Sequence, residues 1–259
     1  MADGNIVGSI DLAEIALSLF FLFFLALVFW LRREDRREGY PLEDAVTGHV
    51  GQYGGPLSTA APKTFKLPFG KGTVSYPRSR REGREPVEIA ARRRENFAGA
   101  PYFPTGNPLA DGVGPASYAQ RQDYPDMTAH GTTRIVPMSS DADFGVAHFL
   151  LNIDPRGLDV IGADKKVAGK VRDLWVDRSE HIVRYLEVDI GEKTVLAPMA
   201  MAVVKRGYVE IDAINAADYA GVPALASATE ITRLEEERVI GYFGGGYLYA
   251  KECRQEPLI

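Results

Sequence analysis

The stretch Leu12-Ala-Glu-Ile-Ala-Leu-Ser-Leu-Phe-Phe-Leu-Phe-Phe-Leu-Ala-Leu-Val-Phe-Trp-Leu31, followed by Arg32-Arg33-Glu34-Asp35-Arg36-Arg37, decides how the rest of the chain is arranged. Apart from Glu14 and Ser18 it is apolar all round. About 20 residues rising roughly 1.5 Å each span the ~30 Å hydrocarbon core of a bilayer. Lipid offers the backbone no hydrogen bonds, so such a run must be a helix. Trp30 lies at its end, where an indole rests among headgroups. The reading is a single transmembrane helix over residues 12–31.

Two other readings compete with it. A secretory signal needs a basic residue before its apolar core and a small-residue cleavage site after it. Here residues 1–11 carry Asp3 and Asp11 but no Lys or Arg, and bulky Phe29-Trp30-Leu31 runs straight into arginines. A helix buried in a soluble core is rarely this long and has a polar face. Four arginines (Arg32, Arg33, Arg36, Arg37) follow the run and none precedes it. That asymmetry puts the long C-terminal part in the cytoplasm and residues 1–11 in the periplasm or its equivalent. Trp30, Arg32 and Arg33 are the candidate lipid contacts, each arginine adding about 1 kcal/mol near an anionic leaflet.

The chain has 259 residues and a formal net charge of -5, so the portion beyond the helix is long enough for one or two domains with a core. Its basic residues are dispersed, which argues against a nucleic-acid partner. The single cysteine, Cys253, excludes an internal disulfide and a cysteine-built metal site.

Residues 32–107 read as a membrane-surface segment, turned by Gly39 and Pro41. Within it, Lys63–Pro68 and Gly72–Pro77 are two short strands around a Phe69-Gly70-Lys71-Gly72 turn. Residues 78–94 interleave arginines with Glu82, Glu85 and Glu88 and read as a mixed-charge solvated loop. Residues 108–153 continue a Gly/Pro-rich extended covering segment, a long loop that needs a surface to lie on and so hints at a partner. From Asp154 alternation takes over, at Val160-Ile161, Val167–Asp177, His181–Ile190, Thr194–Met199 and Gly207–Ile214. Short strands at this spacing predict a small antiparallel barrel over residues 154–259. A C-terminal helix comes next, with Thr229 as expected N-cap and Gly244-Gly245-Gly246 as expected end. The fold class is thus one N-terminal membrane helix plus a mainly β cytoplasmic domain with long extended loops.

No nucleophile elbow, phosphate loop, dinucleotide fingerprint or paired-histidine metal spacing is present, and no enzyme is expected. His49, His130, His148 and His181 are far apart in sequence. One constellation stands out. Asp173, Asp177 and Glu180 lie on and just after one strand, and a hairpin would bring Asp177 and Glu180 to Arg184. Asp123, Asp126, His130 and Arg134 form a second ionisable group upstream. Coupled carboxylates beside arginines can hold and pass protons near neutral pH. From the residues alone, a surface hairpin with ordinary charge pairs is the better reading.

A set of motifs then resembles one family. Arg32 to Leu42 after a lone membrane helix, Pro62-Lys63-Thr64-Phe65, Pro104-Thr105-Gly106-Asn107-Pro108 and Asp111 to Tyr118 are similar to the H subunit of purple-bacterial photosynthetic reaction centres. So are Asp173 to Asp177, Arg184 to Val188 and Gly241 to Ala250. The strands resemble the PRC-barrel, shared with a ribosome-maturation protein. The resemblance implies a subunit that binds no pigment or other cofactor itself and caps the cytoplasmic face of subunits L and M. Bacteriochlorophyll, bacteriopheophytin, quinones, non-haem iron and carotenoid then belong to those partners. A light-harvesting antenna ring and membrane lipids are further expected neighbours, and a bound cytochrome subunit is left open.

The resemblance also implies proton conduction to the secondary quinone. Glu180 matches the family's glutamate near that quinone, with Asp177 and Arg184 as its neighbours. His130 matches the first of two surface histidines at the proton inlet, with Asp126 just upstream and Arg134 just downstream. Thr132 stands at the second histidine's position and Thr128 replaces an acidic residue, so a divalent-metal site at the inlet is not implied. The competing reading is a membrane-tethered PRC-barrel adaptor or assembly factor.

Overall fold

The computed structural model describes residues 5–7, 10–40, 60–77, 89–97, 99–147 and 153–255. His49, His148 and most of the arginine-rich stretch 78–94 lie outside them. The chain divides into two compact units, residues 1–87 and 88–259.

In the first unit, β1 (Asn5–Val7) pairs antiparallel with β2 (Ile10–Asp11), and α1 follows directly as Leu12–Glu34. Asp11 caps α1, its carboxylate accepting the Ala13 N–H at 2.6 Å. The helix continues past the apolar run into the arginines, because Arg32 and Arg33 suit the negative end of its dipole. None of its residues is buried, and it is long and apolar enough to cross a membrane. Beyond it, β3 (Lys63–Lys66) and β4 (Thr73–Tyr76) form the expected hairpin, with Phe65 opposite Val74.

The second unit begins with β5 (Ala91–Arg93) and β6 (Tyr102–Pro104), a small hairpin the sequence did not announce. Its main sheet is built on one long strand. β9 (Val167–Asp177) pairs along one edge with β10 (Ile182–Asp189), which pairs in turn with β11 (Thr194–Pro198). Along the other edge β9 takes β8 (Asp159–Ile161) on its first half and β7 (Ile135–Pro137) on its second. The sheet continues through β13 (Tyr208–Glu210), parallel to β8, to β12 (Val203–Lys205). It stays open, since no pairing joins β11 to β12 among the described residues. Trp175, Leu186, Val188, Val160, Val209 and Ile211 are sealed in its core.

Helix α2 (Arg233–Tyr249) contributes Val239 and Phe243 to that core. Two expectations for it need correcting. The N-cap is Thr232, not Thr229: Thr232 and Glu235 form a reciprocal capping box, with bonds of 2.8 and 3.1 Å. The glycine triplet does not end the helix, which runs on to Tyr249. A Cβ on Gly245 would come within 2.9 Å of the Ala116 Cα, and one on Gly246 within 2.9 Å of the Ala213 carbonyl carbon. Glycine is there to let backbones touch.

The surface beneath part of the covering segment is also the chain's own. Around Ala116 it lies on the glycine face of α2. Further on, the Arg233 N–H donates to the Tyr124 carbonyl (3.1 Å), and Arg121 pairs with Glu237 (3.0 Å). A partner is not needed to hold these residues down.

Gly246→Ala is expected to destabilise the second unit by about 1–3 kcal/mol, because a backbone stands in the way. Gly244→Ala, whose new Cβ would have 3.4 Å to the Pro115 carbonyl, should be neutral or gain up to about 1 kcal/mol of helix propensity. Urea unfolding followed by circular dichroism separates the two.

Candidate functional site

The turn joining β9 to β10 builds the site. Asp177 is the last residue of β9, and its Oδ1 accepts the N–H groups of Ser179 (2.8 Å) and Glu180 (3.0 Å). This closes a turn that swings Glu180 outward, and His181 takes a left-handed φ of 57° to re-enter β10. Asp177 itself is 0 % exposed. A carboxylate so buried needs compensation from charge and hydrogen bonds.

Arg134 supplies it from the covering segment, one residue before β7. Its Nε donates to both Asp177 oxygens, at 3.0 and 2.9 Å. Nη1 reaches Asp126 at 3.2 Å and Nη2 reaches Glu180 at 2.6 Å. Arg184, on β10, adds its Nε to Asp177 at 3.3 Å and lies 3.6 Å from Glu180. Members of the two ionisable groups that sequence kept apart, Asp126 and Arg134 from one and Asp177, Glu180 and Arg184 from the other, therefore form one network of two arginines and three carboxylates. Pairing β7 with β9 is what merges them.

Burial pushes the Asp177 carboxyl up, but Arg134 and the two turn N–H groups outweigh it and hold it below the usual carboxylate range. Bonding to Asp177 above all, with further support from Asp126 and Glu180, raises the Arg134 guanidinium beyond its ordinary value. Asp177 and Arg134 are thus a standing ion pair. Glu180, with half its side chain exposed at the rim, is the member open to whatever covers this face.

The network extends to a residue that sequence reasoning missed. Glu236, on α2, accepts the Tyr185 hydroxyl at 2.9 Å. Burial raises its pKa and Asp126 adds to the rise, against the Tyr185 bond, Arg184 and Arg134. Nothing in the local sequence separates Glu236 from its neighbours Glu235 and Glu237. Only the packing of α2 over β10 does so. Burial likewise raises the Tyr185 hydroxyl.

Other expected members lie elsewhere. His130 is exposed on the loop between the bridge partners Met127 and Thr133, and its ring makes no contact with the cluster among the described residues. Thr128 and Thr132, which replace the family's acidic residue and second histidine, bond to each other at 2.8 Å. No three His, Cys, Asp or Glu side chains converge to hold a metal among the described residues. Asp123 accepts the Thr232 hydroxyl (2.8 Å), and Asp173 accepts the Ser139 hydroxyl (2.5 Å), both away from Arg134. Trp30 and Arg32 are exposed on α1, and Arg33 is half-buried.

A mostly antiparallel open sheet closed over by one helix, carrying a buried charge network at a hairpin turn, defines a class: residues 152–217 match the PRC-barrel domain. Residues 4–140, more than half of the chain, match the N-terminal region of the photosynthetic reaction centre H-chain. The chain belongs to the reaction-centre H-chain family. Such a chain associates with the L and M subunits and is in general non-catalytic. The one candidate membrane helix among the described residues fits a single-pass inner-membrane protein.

Asp177 and Glu236 should respond to pH with opposite sign. The folded pKa of Asp177 lies below its unfolded value of about 3.9, so its stabilisation is complete above that pH and lost as pH falls through the folded value. Glu236 binds its proton more tightly when folded, so its contribution falls as pH rises through about 4.3 and above. Asp177→Asn is expected to cost about 3–5 kcal/mol at neutral pH, since Arg134 loses its buried partner. Glu236→Gln should cost far less and flatten the neutral side of the pH–stability curve, read by urea unfolding between pH 3 and 9.

Proposed function

We propose that this chain caps the cytoplasmic face of the L and M subunits, shields their quinone sites and conducts protons toward the secondary quinone. The observation that carries the reading is the Arg134-centred network, in a chain of this family. A surface cap needs no carboxylate buried at 0 % exposure and joined to a rim glutamate. A proton path does.

The partners' quinone, when doubly reduced, supplies the demand for protons. This chain's residues meet it in an order set by their environments. Asp126, half-buried beside the exposed His130 loop, is the receiving end on the water side. Arg134 bonds Asp126 on one nitrogen and Glu180 on another, so a change of charge on one carboxylate is felt at the other. Asp177 stays ionised and keeps both arginines in position. Glu180 holds the proton at its carboxylate oxygens and releases it at the rim. Glu236 gives the network a carboxyl that stays protonated at higher pH, bonded to Tyr185.

The orientation is set by charge: Arg32, Arg33, Arg36 and Arg37 hold the C-terminal part in the cytoplasm and residues 1–11 in the periplasm. The antenna ring and lipids then surround α1. A tethered PRC-barrel adaptor is the weaker reading, because it leaves the match over residues 4–140 without a purpose. Purified membrane complex should carry bacteriochlorophyll; a colourless complex favours the adaptor.

Glu180→Gln keeps the size of the side chain and removes its proton-holding charge. It should slow the proton-coupled second electron transfer about tenfold, equivalent to about 1.4 kcal/mol on the barrier. Assembly and the first electron transfer should be unchanged. Flash-induced absorbance kinetics against pH measure this, and wild-type kinetics in the variant would remove Glu180 from the path.

A further inference from the structure

The β3–β4 hairpin has a fixed base. Arg37, only 7 % exposed, donates from Nη1 to the carbonyls of Ala61 (2.6 Å) and Tyr76 (2.9 Å), one on each leg of the hairpin. Its Nη2 binds Glu34 at 2.7 Å, and Lys63 reaches the same carboxylate at 3.3 Å. The open end of the hairpin is therefore clamped to the last turn of α1. Glu34, the last residue of α1, lies four residues beyond Trp30, about 6 Å along the helical axis, and Arg37 follows in the turn just after it. The headgroup layer outside the ~30 Å hydrocarbon core is about 5–8 Å deep on each side. The clamp holds the hairpin at that layer.

The hairpin is also two-faced. Phe65 sits opposite Val74 and Lys63 opposite Tyr76, while Thr64 faces Ser75 and Lys66 faces Thr73. Phe65 is 42 % exposed, and Phe69 at the turn is 49 % exposed with φ 56°, a backbone state bulky residues rarely adopt. Two strands alone are marginally stable in water, so these rings need cover. Charge identifies the cover. Residues 60–77 contain Lys63, Lys66 and Lys71 and no Asp or Glu, and they follow a mixed stretch in which Arg32 and Arg33 of α1, then Arg36 and Arg37, outnumber Glu34, Asp35 and Glu38. Cations around exposed aromatic rings are the pattern of an anionic membrane interface.

We propose that the hairpin of residues 60–77 docks onto the anionic phospholipid headgroups of the membrane that α1 crosses. Phe65 and Phe69 enter the boundary between headgroups and acyl chains, and the lysines lie against lipid phosphates. The inference rests on the membrane-spanning reading of α1 and is independent of proton conduction.

The test is hydrogen exchange of the full chain in nanodiscs of phosphatidylcholine, with or without one-third phosphatidylglycerol. Amides of residues 63–76 should exchange about tenfold more slowly with the anionic lipid, the slowing set by the stability gained on docking. Lys66→Glu combined with Lys71→Glu should abolish the difference while leaving α1 protected. A nitroxide on Phe69→Cys in a Cys253→Ser background should be shielded from a water-soluble nickel reagent only in anionic discs. Equal exchange and equal accessibility in both lipids overturn the proposal. So does protection that arises only after the L and M subunits are added, which would make a protein surface the occupant.

Discussion

One guanidinium ties the second unit together. Arg134 lies just before β7, yet its donors reach Asp126 in the covering segment, Asp177 at the end of β9 and Glu180 in the turn. A planar fork with five N–H groups serves the three carboxylates in fixed directions, whereas a lysine offers three donors on one rotating point charge. The backbone repeats the connection: the Arg134 N–H donates to the Asp126 carbonyl, and its own carbonyl accepts from Arg178. Burying Asp177 would be costly without this arrangement, and with it the charge becomes a fixed reference for the groups around it.

The rest of the unit is shaped to make that meeting possible. β9 is long enough to take β8 and β7 in succession on one edge, so the covering segment joins the sheet beside the β9–β10 turn. Nearer its start, the segment is held against α2 by close backbone approach, where Gly241 and Gly245 leave no room for a side chain. Helix α2 is thereby fixed over β10, and Glu236 comes to the Tyr185 hydroxyl. A carboxyl with a raised pKa and one with a lowered pKa then face the same arginines.

Much of this was legible in the residues. The candidate membrane helix declared itself by length and by apolarity broken only at Glu14 and Ser18, and Val167–Asp177 by period-two alternation. The Asp177, Glu180 and Arg184 grouping came from a hairpin whose turn is local. Thr232 was missed as a cap because Thr229 also precedes the helix, and the choice between them rests on the reciprocal bond with Glu235. The glycine triplet was misread because glycine serves both to end a helix and to let one pack closely.

What the sequence determined by itself was whatever depends on neighbours along the chain: the lipid-compatible helix, its charged flank, the strand alternation and the turn chemistry at Asp177. Only the tertiary structure decided that Arg134 and Asp126 belong with Asp177, that Glu236 rather than Glu235 or Glu237 joins them, and that α2 carries its glycines inward. The reason is physical. Local patterns fix backbone geometry and the face a side chain takes, whereas the partner of a buried charge is set by which distant strand or helix packs against it.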